Sequence, residues 1–224
     1  MLLIPYRTHA YREGEPVGTL GLIAFNVLVF IACWVGATSA EDWAMVHGRF
    51  QPVQWVSSAF VHADLMHLIF NMVFLWAFGQ IVEGVTRTPL FLVLYFAIVI
   101  LSGAIETFLF WDGGSMTLGA SGAIYGLIGA AALCAPKAEI DTFSWVFFRV
   151  YFATLSVFAV GVIYTLIELL YAALGGFSLS SSLLHLLGLV AGLGLAALGL
   201  LTGKIDGGGW DWFSLRRADT RRGL

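Results

Sequence analysis

Charge is what this 224-residue chain has least of. Only 11% of its residues are Asp, Glu, Lys or Arg, while 59% are hydrophobic and mean hydropathy is +0.89. A water-soluble domain carries about 25% charged residues, so a soluble globular fold is excluded and the chain reads as a polytopic membrane protein. Cysteine is nearly absent. Cys33 and Cys134 fall in separate apolar segments, near opposite membrane faces in the topology below, which argues against a disulfide and leaves two small hydrophobes. The start of the chain lacks an apolar leader: Arg7, Arg12, Glu13 and Glu15 make the first 18 residues too polar for a signal-peptide h-region. The first apolar segment is therefore expected to be its own insertion signal.

What is present is a series of long apolar runs. A spanning helix needs about 20 mostly apolar residues, and the qualifying segments are 19–37, 63–82, 89–111, 119–135, 147–173 and 181–202. Breaks such as Glu41-Asp42, Thr86-Arg87-Thr88-Pro89, Pro136-Lys137 and Gly203-Lys204 separate them. The expectation is an all-α membrane protein with a cytoplasmic N-terminal segment over 1–18, a six-helix domain over 19–202 and a basic cytoplasmic tail over 203–224. Cation placement sets the orientation. With the N-terminus inside, Arg7, Arg12, Arg87, Lys137, Arg149, Lys204 and the four arginines 216, 217, 221 and 222 all lie inside, and only Arg49 lies outside. That asymmetry puts both termini in the cytoplasm. The 38–62 connection, with Trp43, Phe50 and Trp55, is expected in the outer headgroup region, and the arginine tail on anionic inner-leaflet lipid.

The even-numbered segments then run from outside to inside, so their first residues share one depth. His62, His67 and Asn71 open the second, Ser121 the fourth and His185 the sixth. Polar groups at that depth are costly and mark function. His67 and Asn71, four apart, lie on one helix face. His185 shares a face with Gly188 and Gly192, and Gly122, Gly126 and Ala130 form a small stripe beside Ser121; such faces pack backbone to backbone in lipid. Docking the two stripes sets His185 beside Ser121, the minimal arrangement for an imidazole to activate a hydroxyl nucleophile. No acid is expected on the His185 face at this depth, so the reading is a Ser–His dyad, its imidazole stacked on Tyr125. Asn71, His67 and the Ser121 backbone N–H are the candidate oxyanion donors. Glu106 and Glu168 read as interfacial acids, and Glu83 as a pin on the turn after the second segment.

His62-x4-His67-x3-Asn71, Gly119-Ala120-Ser121-Gly122 with Tyr125, and His185-x2-Gly188-x3-Gly192 together resemble the rhomboid family of intramembrane serine proteases, over about residues 19–202 and including Gly79-x3-Glu83. The resemblance implies a six-transmembrane-helix rhomboid bundle cleaving single-pass transmembrane proteins near their outer boundary, and the compact, cysteine-poor chain favours a bacterial inner membrane as its site. It implies Ser121 as nucleophile, His185 as base, His67 and Asn71 in the oxyanion hole and His62 assisting at a water-accessible top. It further implies that the fifth span is a lateral gate and the loop from Phe177 to Ser182 a cap. One departure is plain: Trp55 is followed by Val56 where the family commonly has Trp-Arg, which puts the anchoring of that loop in doubt.

Ser121 alone reads as a packing serine, and His62, His67 and His185 could instead ligate zinc in a transporter. A catalytically silent relative would hold client helices without cutting, but would lack Ser121 or His185. The expected partners are membrane lipid and transmembrane substrates, with no metal, cofactor or nucleic acid.

Overall fold

Length alone forces the longest helix of this chain to fold back on itself. The computed structural model describes residues 3–9, 14–111, 114–146, 148–175 and 180–222. Strand β1 (Leu3–Thr8) precedes helix α1 (Val17–Trp34). The following connection holds α2 (Ala40–Trp43), β2 (Met45–Val46), α3 (Pro52–Ser57) and a 3-10 turn, Ser58–Phe60. Helix α4 (Leu65–Leu109) has 45 residues, about 68 Å at 1.5 Å per residue and more than twice the roughly 30 Å of a hydrocarbon core. It is two helical arms broken at Arg87, where φ is 63° and ψ 158°. Pro89 opens the second arm, where a missing N–H breaks no helical bond.

Strand β3 (Met116–Thr117) leads into α5 (Ser121–Cys134), followed by β4 (Glu139–Val146), β5 (Arg149–Ser156), α6 (Val157–Leu174), α7 (Ser181–Leu201) and α8 (Trp212–Arg222). Among the described residues, four helices are long and apolar enough to cross a membrane, counting α4 once, and α5 is a shorter apolar helix. Exposed Leu20, Phe25, Leu28 and Ile31 on α1, and Val190, Leu198 and Leu201 on α7, give these helices the apolar outer faces that lipid requires.

The fold is mostly helical, which corrects the all-α expectation. Strands β1, β4 and β5 form an antiparallel sheet in that order, and β2 pairs with β3. Residues 149–156, assigned from hydropathy to the fifth span, are therefore strand, and the helix begins at Val157. Val150, Tyr151, Phe152 and Thr154 favour a pleated backbone, and mean hydropathy cannot distinguish an apolar strand from the first turns of an apolar helix.

Helix α5 is the centre of the bundle, packed on α4, α6 and most closely on α7. Its Ile124, Leu127 and Ile128 join Phe78, Ile81, Phe91, Tyr95 and Ile98 of α4 in the buried core. Helix α6 buries one stripe, Val160, Gly161, Tyr164, Glu168 and Ala172, and exposes Leu166, Leu169 and Leu170 on the opposite side. Glu83 pins the start of α1, which Pro16 leaves without a side-chain cap. Its carboxylate accepts from the Gly18 N–H at 2.7 Å, the Thr19 N–H at 2.8 Å, the Thr19 hydroxyl at 2.7 Å and the Thr88 hydroxyl at 2.5 Å.

Candidate active site

The chain enters α5 through Gly119, whose φ of +111° and close neighbours both require glycine. A Cβ there would lie 2.7 Å from Cε1 and Nε2 of His67 and 3.5 Å from the Asn71 amide nitrogen. Gly119 is held in place by its N–H, which donates to the Ser58 carbonyl at 2.8 Å. Ser121 follows as the first helical residue. The N–H groups of a first turn have no carbonyl behind them and carry the positive end of the helix dipole, so the site already holds donors beside this hydroxyl.

His67 and Asn71 reach it from α4. Asp64 caps that helix, accepting from the His67 N–H at 2.8 Å, which fixes the first turn and hence the direction of both side chains. Asn71 is 7% exposed and, among the described residues, its amide nitrogen has no hydrogen-bond partner.

His185 comes from α7, whose N-terminus Ser180 caps. Below it the helices touch through their backbones. A Cβ on Gly188 would lie 2.0 Å from the Gly122 carbonyl oxygen, and one on Gly192 1.9 Å from that of Gly126. A Cβ on Gly122 would meet nothing within 4 Å, so its part in the contact is its carbonyl. The His185 ring stacks on Tyr125, with centroids 4.3 Å apart and planes 8° from parallel.

The acid excluded from the sequence is there. Glu168 of α6 places Oε1 2.9 Å from His185 Nδ1, and the same oxygen accepts from the Tyr125 hydroxyl at 2.5 Å. This corrects the reading of Glu168 as interfacial: it is 7% exposed and lies on the inward stripe of α6. The signal was available, since Glu168 shares a helix face with Gly161, Tyr164 and Ala172 and opposes the leucines that meet lipid.

Ser121, His185, His67, Asn71, Tyr125, Gly119 and Gly122 line one cavity of about 510 Å³. Among the described residues no hydrogen bond joins the Ser121 hydroxyl to His185; with Nδ1 taken by Glu168, Nε2 is the ring nitrogen left for proton transfer. Gly126 lies deeper in the contact between α5 and α7. His62 stands apart. It is 4% exposed, and its ring meets His67 edge-on at 5.1 Å without lining the cavity. It lines a separate cavity with Phe30, Trp34, Thr38 and Ser39. Burial, reinforced by the neighbouring His67, lowers its pKa from 6.5 to about 4. The cap assigned to Phe177–Ser182 falls largely on 176–179, outside the described residues.

The 38–62 connection is anchored by contacts that the sequence did not disclose. Trp55 donates from its indole N–H to Thr107 at 2.8 Å and packs on Gly103. His47 bonds Glu106 at 2.7 Å and Ser115 at 2.8 Å, and Thr117 donates to the same Glu106 oxygen at 2.5 Å. Glu106 is thus a buried partner of His47, not an interfacial acid, and the loop is held without the Arg that Val56 replaces. Among the described residues no group of three His, Cys, Asp or Glu is placed to hold a metal ion.

Comparison with known proteins agrees with this architecture. A family model described as Rhomboid domain matches residues 49–202. The chain is 30% identical over 135 residues to the rhomboid protease GlpG of Pectobacterium atrosepticum, covering 56% of this chain and 48% of that protein. It is 31% identical over 129 residues to the rhomboid protease GluP of Bacillus subtilis, covering 54% and 25%, and 28% identical over 144 residues to GlpG of Yersinia pestis, covering 60% and 51%. The matches thus span about half, or less, of the length of these relatives. With more than half of its length matched by the family model, the chain is a membrane protein that belongs to the rhomboid family.

Proposed function

We propose that this protein is an intramembrane serine endopeptidase that cuts transmembrane proteins near the outer face of a bacterial inner membrane, with Ser121 as nucleophile and His185 as general base. Six crossings, with the two arms of α4 counted separately, leave both termini in the cytoplasm and the sheet of β1, β4 and β5 on that side. Helix α5 has 14 residues, about 21 Å against a core of roughly 30 Å. With Cys134 at the inner boundary, Ser121 sits about 9 Å beneath the outer one, by the same rise per residue.

The observation that carries this reading is the buried amide nitrogen of Asn71, which has no hydrogen-bond partner among the described residues and lies in the cavity shared by Ser121 and His185. An unsatisfied buried donor costs about 1–3 kcal/mol, and a tetrahedral oxyanion would satisfy it. In the reaction, Ser121 Oγ bonds the scissile carbonyl carbon while His185 Nε2 takes the hydroxyl proton. Asn71, His67 and the Ser121 N–H donate to the oxyanion. Its collapse breaks the C–N bond, and the imidazolium returns the proton to the leaving amine. Water then attacks the acyl ester, giving its proton to His185, and the serine leaves with that proton.

Substrates approach sideways from lipid. They carry small or helix-breaking residues near the outer face, since a scissile bond must leave its helix to be attacked. The test is cleavage of a reporter transmembrane protein with fluorophosphonate labelling. Wild type should label and cleave, while folded Ser121→Ala and His185→Ala should do neither; cleavage by Ser121→Ala would remove the nucleophile assignment. Neither a client-holding protein without activity nor a metal transporter is favoured, since Ser121 and His185 are both present and the described residues hold no metal-ligand group.

A further inference from the structure

We propose that Glu168 is a positioning residue of this site, a third member beside Ser121 and His185 that fixes which ring nitrogen of His185 faces the nucleophile. The inference rests on the serine-protease reading above and goes beyond a two-residue dyad.

Stacking on Tyr125 fixes the plane of the imidazole but not its identity within that plane. A half-turn about Cβ–Cγ leaves the ring stacked while exchanging nitrogen for carbon at the reacting edge. A bond to Nδ1 removes that ambiguity, and Glu168 Oε1 makes it at 2.9 Å. A carboxylate can only accept, so Nδ1 carries the proton and Nε2 keeps its lone pair for the Ser121 proton. When that proton arrives, the imidazolium stands beside a carboxylate already in contact, an arrangement that strengthens the bond as charge develops.

The tyrosine joins the same device. Its hydroxyl donates to Oε1, the oxygen that His185 uses, while its ring carries the stack. One carboxylate oxygen therefore ties the ring that supports the imidazole to the imidazole itself. Glu168 is also carried by a separate helix. Helices α5 and α7 hold Ser121 and His185 through glycine-mediated backbone contact, whereas α6 packs less extensively on both and exposes its leucine face. The orientation of the base thus depends on α6 being docked.

A carboxylate serving only as packing would tolerate its amide isostere; a positioning role would not. The experiment measures kcat and KM for the reporter, the rate of fluorophosphonate labelling and the thermal midpoint in detergent for wild type, Ser121→Ala, Glu168→Gln and Glu168→Asp. Glu168→Gln should lower kcat and the labelling rate by at least about tenfold, a fraction of the roughly 10²- to 10⁴-fold that general acid–base catalysis contributes. KM and the thermal midpoint should stay near wild type, and Glu168→Asp should recover part of the loss. Wild-type kcat and labelling in Glu168→Gln would overturn the proposal. So would a loss that follows the thermal midpoint and is not rescued by aspartate. If wild type fails to label, or Ser121→Ala still cleaves, the nucleophile itself is misassigned, an outcome distinct from a silent Glu168.

Discussion

A Cβ on Gly192 would sit 1.9 Å from the carbonyl oxygen of Gly126, so the separation of α7 and α5 is set by the absence of a side chain. Gly192→Ala should push the helices apart and carry His185 away from Ser121. Overpacking of this kind costs about 1–3 kcal/mol, so the thermal midpoint and the labelling rate should fall together. Gly194 is the control, since a Cβ there meets nothing within 4 Å. Gly194→Ala should leave activity unchanged and add stability of about 0.5–1 kcal/mol through helix propensity. Equal behaviour of the two variants would contradict the backbone contact.

Asn71→Ala removes a donor that has no partner among the described residues. Its effect should therefore fall on kcat, by roughly 10²- to 10³-fold as for other oxyanion donors, with little change in KM or thermal midpoint. A variant that loses stability while its folded fraction keeps full kcat would assign Asn71 to packing instead.

His62 gives a pH dependence with a defined sign. Burial, with the neighbouring His67, lowers its pKa in the folded protein to about 4 from 6.5, so between those values the unfolded chain binds a proton that the folded chain refuses. Stability contributed by neutral His62 is present above pH 6.5 and lost as pH falls toward 4, by roughly 3 kcal/mol over the full range. Thermal midpoints measured from pH 7 to pH 4 should fall less steeply for His62→Phe than for wild type. Parallel curves would show that His62 protonates freely in the fold.

Glu83 holds four donors from two distant segments. Glu83→Gln replaces one acceptor oxygen with an NH2 group that must face donors, and the lost charge-assisted bonds should cost about 3 kcal/mol. The thermal midpoint should drop, and amide exchange at Gly18 and Thr19 should accelerate. Unchanged protection there would mean that α1 needs no cap from α4.

Much of the site could be read from the chain because its signals are local. Hydropathy over some 20 residues located the apolar segments, and cation placement supplied an orientation. A four-residue spacing put His67 and Asn71 on one face, and glycines four apart marked the faces along which α5 and α7 meet. These signals survive without tertiary structure because a helix fixes its own side-chain directions once its residues are known to be helical.

What the tertiary structure decided are the pairings between segments far apart in sequence. Glu168 beside His185, His47 on Glu106, Glu83 on the start of α1 and β1 against β4 each depend on how one element is rotated or registered against another. An acid on an apolar helix has a depth that the sequence supplies, but its direction follows from packing on every neighbour. For α6, the small and polar stripe of Gly161, Tyr164, Glu168 and Ala172 turns inward because its leucine face is left to lipid, and that rotation delivers a carboxylate to the imidazole.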